Sequence, residues 1–199
     1  MGLRQSAPFI LASASPRRME LLKRLGLDFI VAPSGADESF QEGESPQAHV
    51  LRLSADKADR VAAANPGHWV LGADTIVVVD GEVLGKPADP DEARQMLKKL
   101  SARAHTVFTG FTLARQEPRF RISEAMASTV FFRAISEDEL AWYVLSREPY
   151  DKAGAYAVQG RSAFFIKEIR GSYTNVMGLP LCEVVDALKK AGAVAFTAE

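Results

Sequence analysis

Trp69-Val70-Leu71-Gly72-Ala73-Asp74-Thr75-Ile76-Val77-Val78-Val79 is the most strand-like stretch of the chain, and its reading decides the fold. It is apolar almost throughout and rich in β-branched residues, the pattern of a strand covered on both faces at the centre of a layered sheet. Asp80-Gly81 follows as a two-residue hairpin turn into Glu82, Val83 and Leu84. Asp74 interrupts the run. Aspartate is disfavoured in strands and almost never fully buried without a partner. Two readings of it stand: a metal ligand or general base, or one half of an internal salt bridge to Lys57 or Lys86. Ionised groups inside sheets usually mark sites, which favours the first. Gly72 and Ala73, just before it, leave room for something bulky to approach.

Outward from this strand, helical and strand periods alternate. A helix from about Gln47 to Ala64 precedes it, closed by Asn65-Pro66-Gly67, and Asp89-Pro90 opens another with Ala93, Met96, Leu97 and Leu100 on one face. Near the start, Phe9 to Ala12 form an apolar run that passes through Ser13-Ala14-Ser15-Pro16-Arg17-Arg18 into the amphipathic Met19, Leu21, Leu22 and Leu25. Asp28 to Ala32 give a second short strand, and Pro33 to Pro46 a polar loop. His105 to Ala114 and Arg119 to Phe132 make a long hairpin around Gln116-Glu117-Pro118, and Ser136 with Glu139 a capping box. Ala163 to Ile169 read as a strand and Leu181 to Leu188 as a final helix. The alternation predicts an α/β layered architecture. No linker is evident, so residues 1–199 are expected to form a single domain.

Composition narrows the function. A net charge of -1 lacks the broad basic field of a sequence-independent nucleic-acid binder, which argues against stable nucleic-acid binding. A cationic pocket for a small anion needs no cationic protein. The single cysteine, Cys182, excludes an internal disulfide or a multi-cysteine zinc site and is expected as a small buried hydrophobe. No apolar run is long enough to span a bilayer, and the default expectation is a soluble cytoplasmic protein. His49, His68 and His105 are scattered, with no metal-ligand spacing.

Several charged residues sit badly for structure alone. Ser15 suits a helix N-cap and Pro16 the first helical position, yet Arg17 and Arg18 in that turn oppose the helix dipole. They are either solvated or compensated by an anion such as phosphate. Lys57 falls in line with Val50, Leu53 and Val61 on the apolar side of its helix, where a cation is costly unless paired. It either snorkels to the core edge or reaches an anion in a cleft. Lys86 lies in Leu84-Gly85-Lys86-Pro87, which is no P-loop. Glu38 is one of several acids on the early loop, with Glu42 and Glu44. Asp151-Lys152-Ala153-Gly154-Ala155-Tyr156-Ala157-Val158-Gln159-Gly160 packs small residues around polar groups, and Gln159 could read a base edge. Gly171 to Pro180 is a similarly glycine-punctuated loop; for both segments an ordinary turn is the alternative.

With these residues assembled, the chain resembles the Maf family of nucleotide pyrophosphatases along nearly its whole length. The matching motifs are Ser13 to Arg18, Gly72-Ala73-Asp74-Thr75, Gly85-Lys86-Pro87, Asp151 to Tyr156 with Gln159-Gly160, and Gly178-Leu179-Pro180-Leu181. The resemblance implies an α/β fold with an elongated, twisted mixed sheet flanked by helices and a central cleft between two lobes, similar to the inosine triphosphate pyrophosphatases. It implies hydrolysis of a nucleoside triphosphate to monophosphate and pyrophosphate with a divalent metal, Mg2+ or Mn2+. Asp74 is then the proton acceptor and, with Glu38, lies at the metal. Ser13, Arg18, Lys57 and Lys86 hold phosphate, and Arg17, Thr75 and Gln159 match positions associated with base selection. Arg17 and Ala73-Asp74-Thr75 resemble the dTTP and UTP members rather than those directed at 7-methylguanosine triphosphate. A homodimer is a further family-level expectation. The alternative is a non-catalytic nucleotide- or nucleic-acid-binding regulator of cell division.

Overall fold

A computed structural model describes residues 2–197. In chain order the elements are β1 (Gly2–Gln5), β2 (Phe9–Leu11), α1 (Pro16–Arg24), β3 (Ile30–Val31), α2 (Pro46–Ala64), β4 (Trp69–Val79), β5 (Glu82–Leu84) and α3 (Pro90–Leu100). They continue with β6 (Ala104–Arg115), β7 (Phe120–Phe132), α4 (Glu137–Val144), β8 (Ile166–Arg170), α5 (Tyr173–Met177), α6 (Leu181–Lys190) and β9 (Val194–Thr197). One sheet has the order β3-β2-β4-β6-β7-β8, with β5 paired to β4, and β1 pairs with β9 separately. The β2 ladders to β3 and β4 are parallel, whereas β4–β5 and β7–β8 are antiparallel. The fold is therefore a mixed sheet with helices packed on it, as expected.

The chain forms two compact units, residues 1–74, 109–126 and 178–199 in the first and 75–108 and 127–177 in the second. Strand β4 belongs to both, the boundary falling between Asp74 and Thr75. In the first unit Ile10, Ala12, Ala58, Val61, Ala62 and Val70 form one apolar cluster between β2, β4 and α2. The second unit has its own core, in which α3 supplies Met96, Leu97 and Leu100 and α4 supplies Leu140 and Tyr143.

Local signals explain most boundaries. Ser45 caps α2 by accepting from Ala48 N–H, Asp89 caps α3 through Glu92 N–H, and the Ser136–Glu139 capping box opens α4. Asp80 and Gly81 both have positive φ, 50° and 79°, as a type I′ hairpin turn requires. Four expectations are corrected. The strand around Asp28–Ala32 shrinks to Ile30–Val31, and Arg161–Phe165 is a 3-10 segment, so β8 begins only at Ile166. Gly171 to Pro180 contains the short helix α5. Cys182 is exposed, because α6 buries Val184, Ala187 and Leu188 on its other face. The β1–β9 pair went unforeseen, since it joins two short segments from opposite ends of the chain. Among the described residues no helix is long and apolar enough to cross a membrane.

Candidate active site

The parallel register of β2 and β4 builds the site in the first unit. Phe9, Ile10 and Leu11 face Trp69, Val70 and Leu71, and Ala12 N–H donates to Leu71 O at 2.8 Å. Carrying that register two residues further brings Ser13 alongside Ala73 in the middle of β4, shortly before α1 begins. Ser15 sits at the α1 N-cap position, but its side chain makes no capping bond. Its N–H instead donates to Ser13 Oγ at 3.3 Å.

Helix α2 supplies the amine. A Cβ on Gly72 would lie 2.3 Å from Ser54 O and 2.7 Å from Ala58 N, and one on Gly110 of β6 would lie 2.3 Å from Val50 O. Both strands can touch the α2 backbone only because these residues lack side chains. The room at Gly72 is thus filled by the protein's own helix. That close approach puts Lys57 over Asp74, with Nζ donating to Oδ1 at 2.7 Å. Each side chain of the pair is only 9% exposed. The same ammonium lies 2.6 Å from Glu38 Oε1, on the loop before α2. For Asp74 this contact is the internal salt bridge to Lys57 that the sequence offered as the alternative to a site role, and Lys57 is paired with anions of the protein itself.

Arg18 is also buried. Its Nη1 donates to Ser13 Oγ at 3.0 Å and to Ala73 O at 2.9 Å, and its Nε donates to Gly178 O at 2.8 Å. Burial lowers the pKa of the guanidinium, and the nearby Asp74 carboxylate opposes that shift. Ser13 Oγ accepts from both Arg18 and Ser15 N–H, so its own proton is left to donate. One unit therefore gathers Ser13, Arg18, Glu38, Lys57 and Asp74, with the half-buried Arg17 on the same first turn of α1.

Thr75, Lys86 and Gln159 fall in the second unit. Thr75 follows Asp74 on β4, and Lys86 is exposed just beyond β5. The Lys86 loop is joined to the Asp151 to Gly160 segment by Gly154 N–H donating to Gly85 O at 3.0 Å, with Gly154 at φ 69°. Gln159 is exposed, and the backbone of Gly160 lies on the Glu148 carboxylate, where a Cβ would come within 2.2 Å of Oε1. Glu148 in turn accepts from Arg161 N–H at 2.9 Å and Tyr143 Oη at 3.0 Å.

Sequence reasoning missed one group in the first unit. Glu44, in the sequence only one of several acids on the early loop, has a side chain 7% exposed that accepts from Arg52 Nε at 2.6 Å and Nη2 at 2.8 Å. It also accepts from His49 Nδ1 at 2.9 Å. The Arg52 fork holds the Glu44 carboxyl far below its ordinary range, at about 2. Phe40, the single aromatic residue of a polar loop, stacks on His49 with centroids 3.5 Å apart. An aromatic residue placed there was the available signal.

A family model described as Maf-like protein matches residues 8–191. The chain belongs to the Maf family. It is 58% identical over 190 residues to a dTTP/UTP pyrophosphatase of Syntrophus aciditrophicus, covering 96% of this chain and 93% of that one. A dTTP/UTP pyrophosphatase of Geotalea uraniireducens is 49% identical over 185 residues, covering 93% and 95%. Among solved structures, the Staphylococcus aureus Ham1 protein superposes with a TM-score of 0.51 at 13% identity, over 93% of this Maf chain and 99% of the other. At that identity the match concerns the fold alone.

Proposed function

We propose that this protein hydrolyses dTTP and UTP to the nucleoside monophosphate and pyrophosphate, in the cytoplasm and with a divalent metal. It is an enzyme, a nucleoside triphosphate pyrophosphatase. The observation that carries the finer reading is the convergence of the Asp74 and Glu38 carboxylates on one cationic centre, the Lys57 ammonium, beside the buried Arg18, which donates to the Ser13 hydroxyl. Two hard oxygen donors directed at one positive charge also suit Mg2+ or Mn2+, which take carboxylates, waters and substrate phosphate. Glu38 and Asp74 would hold that ion, whose charge would offset the negative charge of the phosphates.

The residues divide the remaining work by their chemistry. Arg18, Lys57 and Ser13 hold phosphate oxygens, a role that the Gly85-Lys86-Pro87 motif also suggests for Lys86; charge moving onto the departing pyrophosphate is met by cationic and hydroxyl groups. Lys57 engages Asp74 through Oδ1, and Oδ2 takes the proton of the attacking water. Arg17, Thr75 and Gln159 select the base. The names of the relatives support dTTP and UTP as substrates. Incubation with either nucleotide and Mg2+ is expected to release pyrophosphate, and Asp74→Asn to stop the release in a folded protein. Orthophosphate as the first product would overturn the proposed bond cleavage.

A further inference from the structure

We propose that Arg52, clamped to Glu44, is a positioning residue for Glu38. The inference rests on Glu38 being a metal ligand. Glu38 is 56% exposed and belongs to an irregular loop, so nothing in its own burial fixes its carboxylate beside Lys57. Ordering a glutamate side chain costs rotamer entropy, and a held backbone reduces that cost. Arg52 holds it. The Nη2 that forks onto Glu44 also donates to Ser39 O at 3.0 Å, one residue after Glu38. Asp37 Oδ1 accepts from Ser39 N–H at 3.0 Å, closing a local turn around Glu38.

The rest of the loop is tied to the same helix. Gln41 N–H donates to Glu44 Oε2 at 3.3 Å, and the Phe40 ring lies flat on His49, at an interplanar angle of 3°. His49, Arg52 and Lys57 all project from α2. One rigid helix therefore presents the amine that meets Glu38 and anchors the main chain that carries it. Only a planar fork reaches both Glu44 oxygens and a carbonyl together; lysine is a point donor and cannot.

The test is Mn2+ binding to the nucleotide-free protein, followed by the paramagnetic signal of unbound metal, for wild type, Arg52→Gln, Glu38→Gln and the double variant. Arg52→Gln is expected to weaken binding about ten-fold, the usual scale for residues that orient metal ligands. Saturating Mn2+ should restore most of its turnover, a separation of metal affinity from kcat that general loss of structure would not produce. The double variant should bind no more weakly than Glu38→Gln alone. Additive losses, or wild-type binding by Arg52→Gln beside a defective Glu38→Gln, would overturn the clamp. Wild-type binding by Glu38→Gln would instead overturn the role of Glu38 itself. Arg52→Lys, which keeps the charge and the helix, should weaken Mn2+ binding in the same direction; wild-type affinity would again count against the clamp.

Discussion

The first unit buries a guanidinium, an ammonium and a carboxylate, Arg18, Lys57 and Asp74, whereas the second buries uncharged polar groups, among them His105, Ser128, Ser162 and Asn175. In the second unit burial works against charge. It pushes the His105 pKa down to about 4 and raises the Tyr143 and Tyr156 hydroxyls above their ordinary range. His105 meets Tyr156 Oη at 2.8 Å between aromatic faces, a neutral contact that fixes packing. Desolvated ions cost far more than desolvated hydroxyls or amides, so a fold selected for stability alone would arrange both units like the second. The difference is what supports the proposed placement of Asp74, Lys57 and Arg18 in the chemistry.

The largest expected effect breaks this contrast at its centre. Asp74→Asn keeps the shape of the side chain and removes the proposed proton acceptor, so kcat should fall by about a thousand-fold, within the span for general-base removal. Asn175→Ala in the second unit provides the counterpart. Asn175 Nδ2 donates to Val107 O at 3.1 Å and Ser128 Oγ at 2.9 Å, and losing these should cost about 1–3 kcal/mol of stability. Steady-state kinetics with denaturant melts separate the two outcomes: an active Asp74→Asn protein would remove the distinction between the units.

Much of the first unit was legible because its ions violate local rules. Lys57 broke a helical apolar stripe and Asp74 a β-branched strand, and the fold joins those two exceptions directly. Arg18 was legible as a charge of the wrong sign for its helix turn. The Glu44–Arg52 clamp was not, since an acid on a polar loop and an arginine on a polar helix face each look ordinary until the loop folds back. Gly72 told of a close approach without telling what approaches, because the partner is helix backbone, which carries no side-chain signature. Strands β1 and β9 were invisible for a related reason: their pairing depends on chain ends far apart in sequence.

Lys57→Met sharpens the comparison on the stability side. Removing one member of a buried pair leaves a buried charge unanswered, at a cost of about 3 kcal/mol. Glu38 and Asp74 would then repel each other, so the variant should melt lower than wild type without metal and recover in part with Mg2+. Stabilisation that Mg2+ gives equally to wild type would argue against relief of repulsion between Glu38 and Asp74 as its cause.

The pH dependence of stability tests the neutral unit. Folded His105 refuses a proton until about pH 4, while the unfolded chain accepts one near 6.5. Its contribution is therefore complete above pH 6.5, falls as pH drops toward 4 and is gone below, with a ceiling of about 3 kcal/mol. His105→Gln should flatten this window in denaturant titrations at pH 7 and 4.5. Glu44, held at about 2 from an ordinary 4.5, contributes fully above pH 4.5 and loses that contribution as pH falls toward 2. The two windows barely overlap, so acid unfolding should show them in succession, and a single steep loss near pH 6 in His105→Gln would contradict the assignment.

The smallest effect separates pairing from burial. Glu20 and Arg24 form an i,i+4 pair on α1 with side chains 50% and 61% exposed, in the same unit as Lys57 and Asp74. Its geometry is as close as that of the buried pair, and glutamate N-terminal to its cation is the favourable order on a helix. Water and salt nevertheless screen it, so a double-mutant cycle with Glu20→Ala and Arg24→Ala should give a coupling of only about 0.3–0.5 kcal/mol, shrinking further at high salt. A coupling as large as that of Lys57 with Asp74 would mean that contact distance alone sets the strength of ion pairs in this unit. A small, salt-sensitive value would leave desolvation as what distinguishes the buried pair, and under the proposed function desolvation is what would let its carboxylate and ammonium act on phosphate with little competition from water.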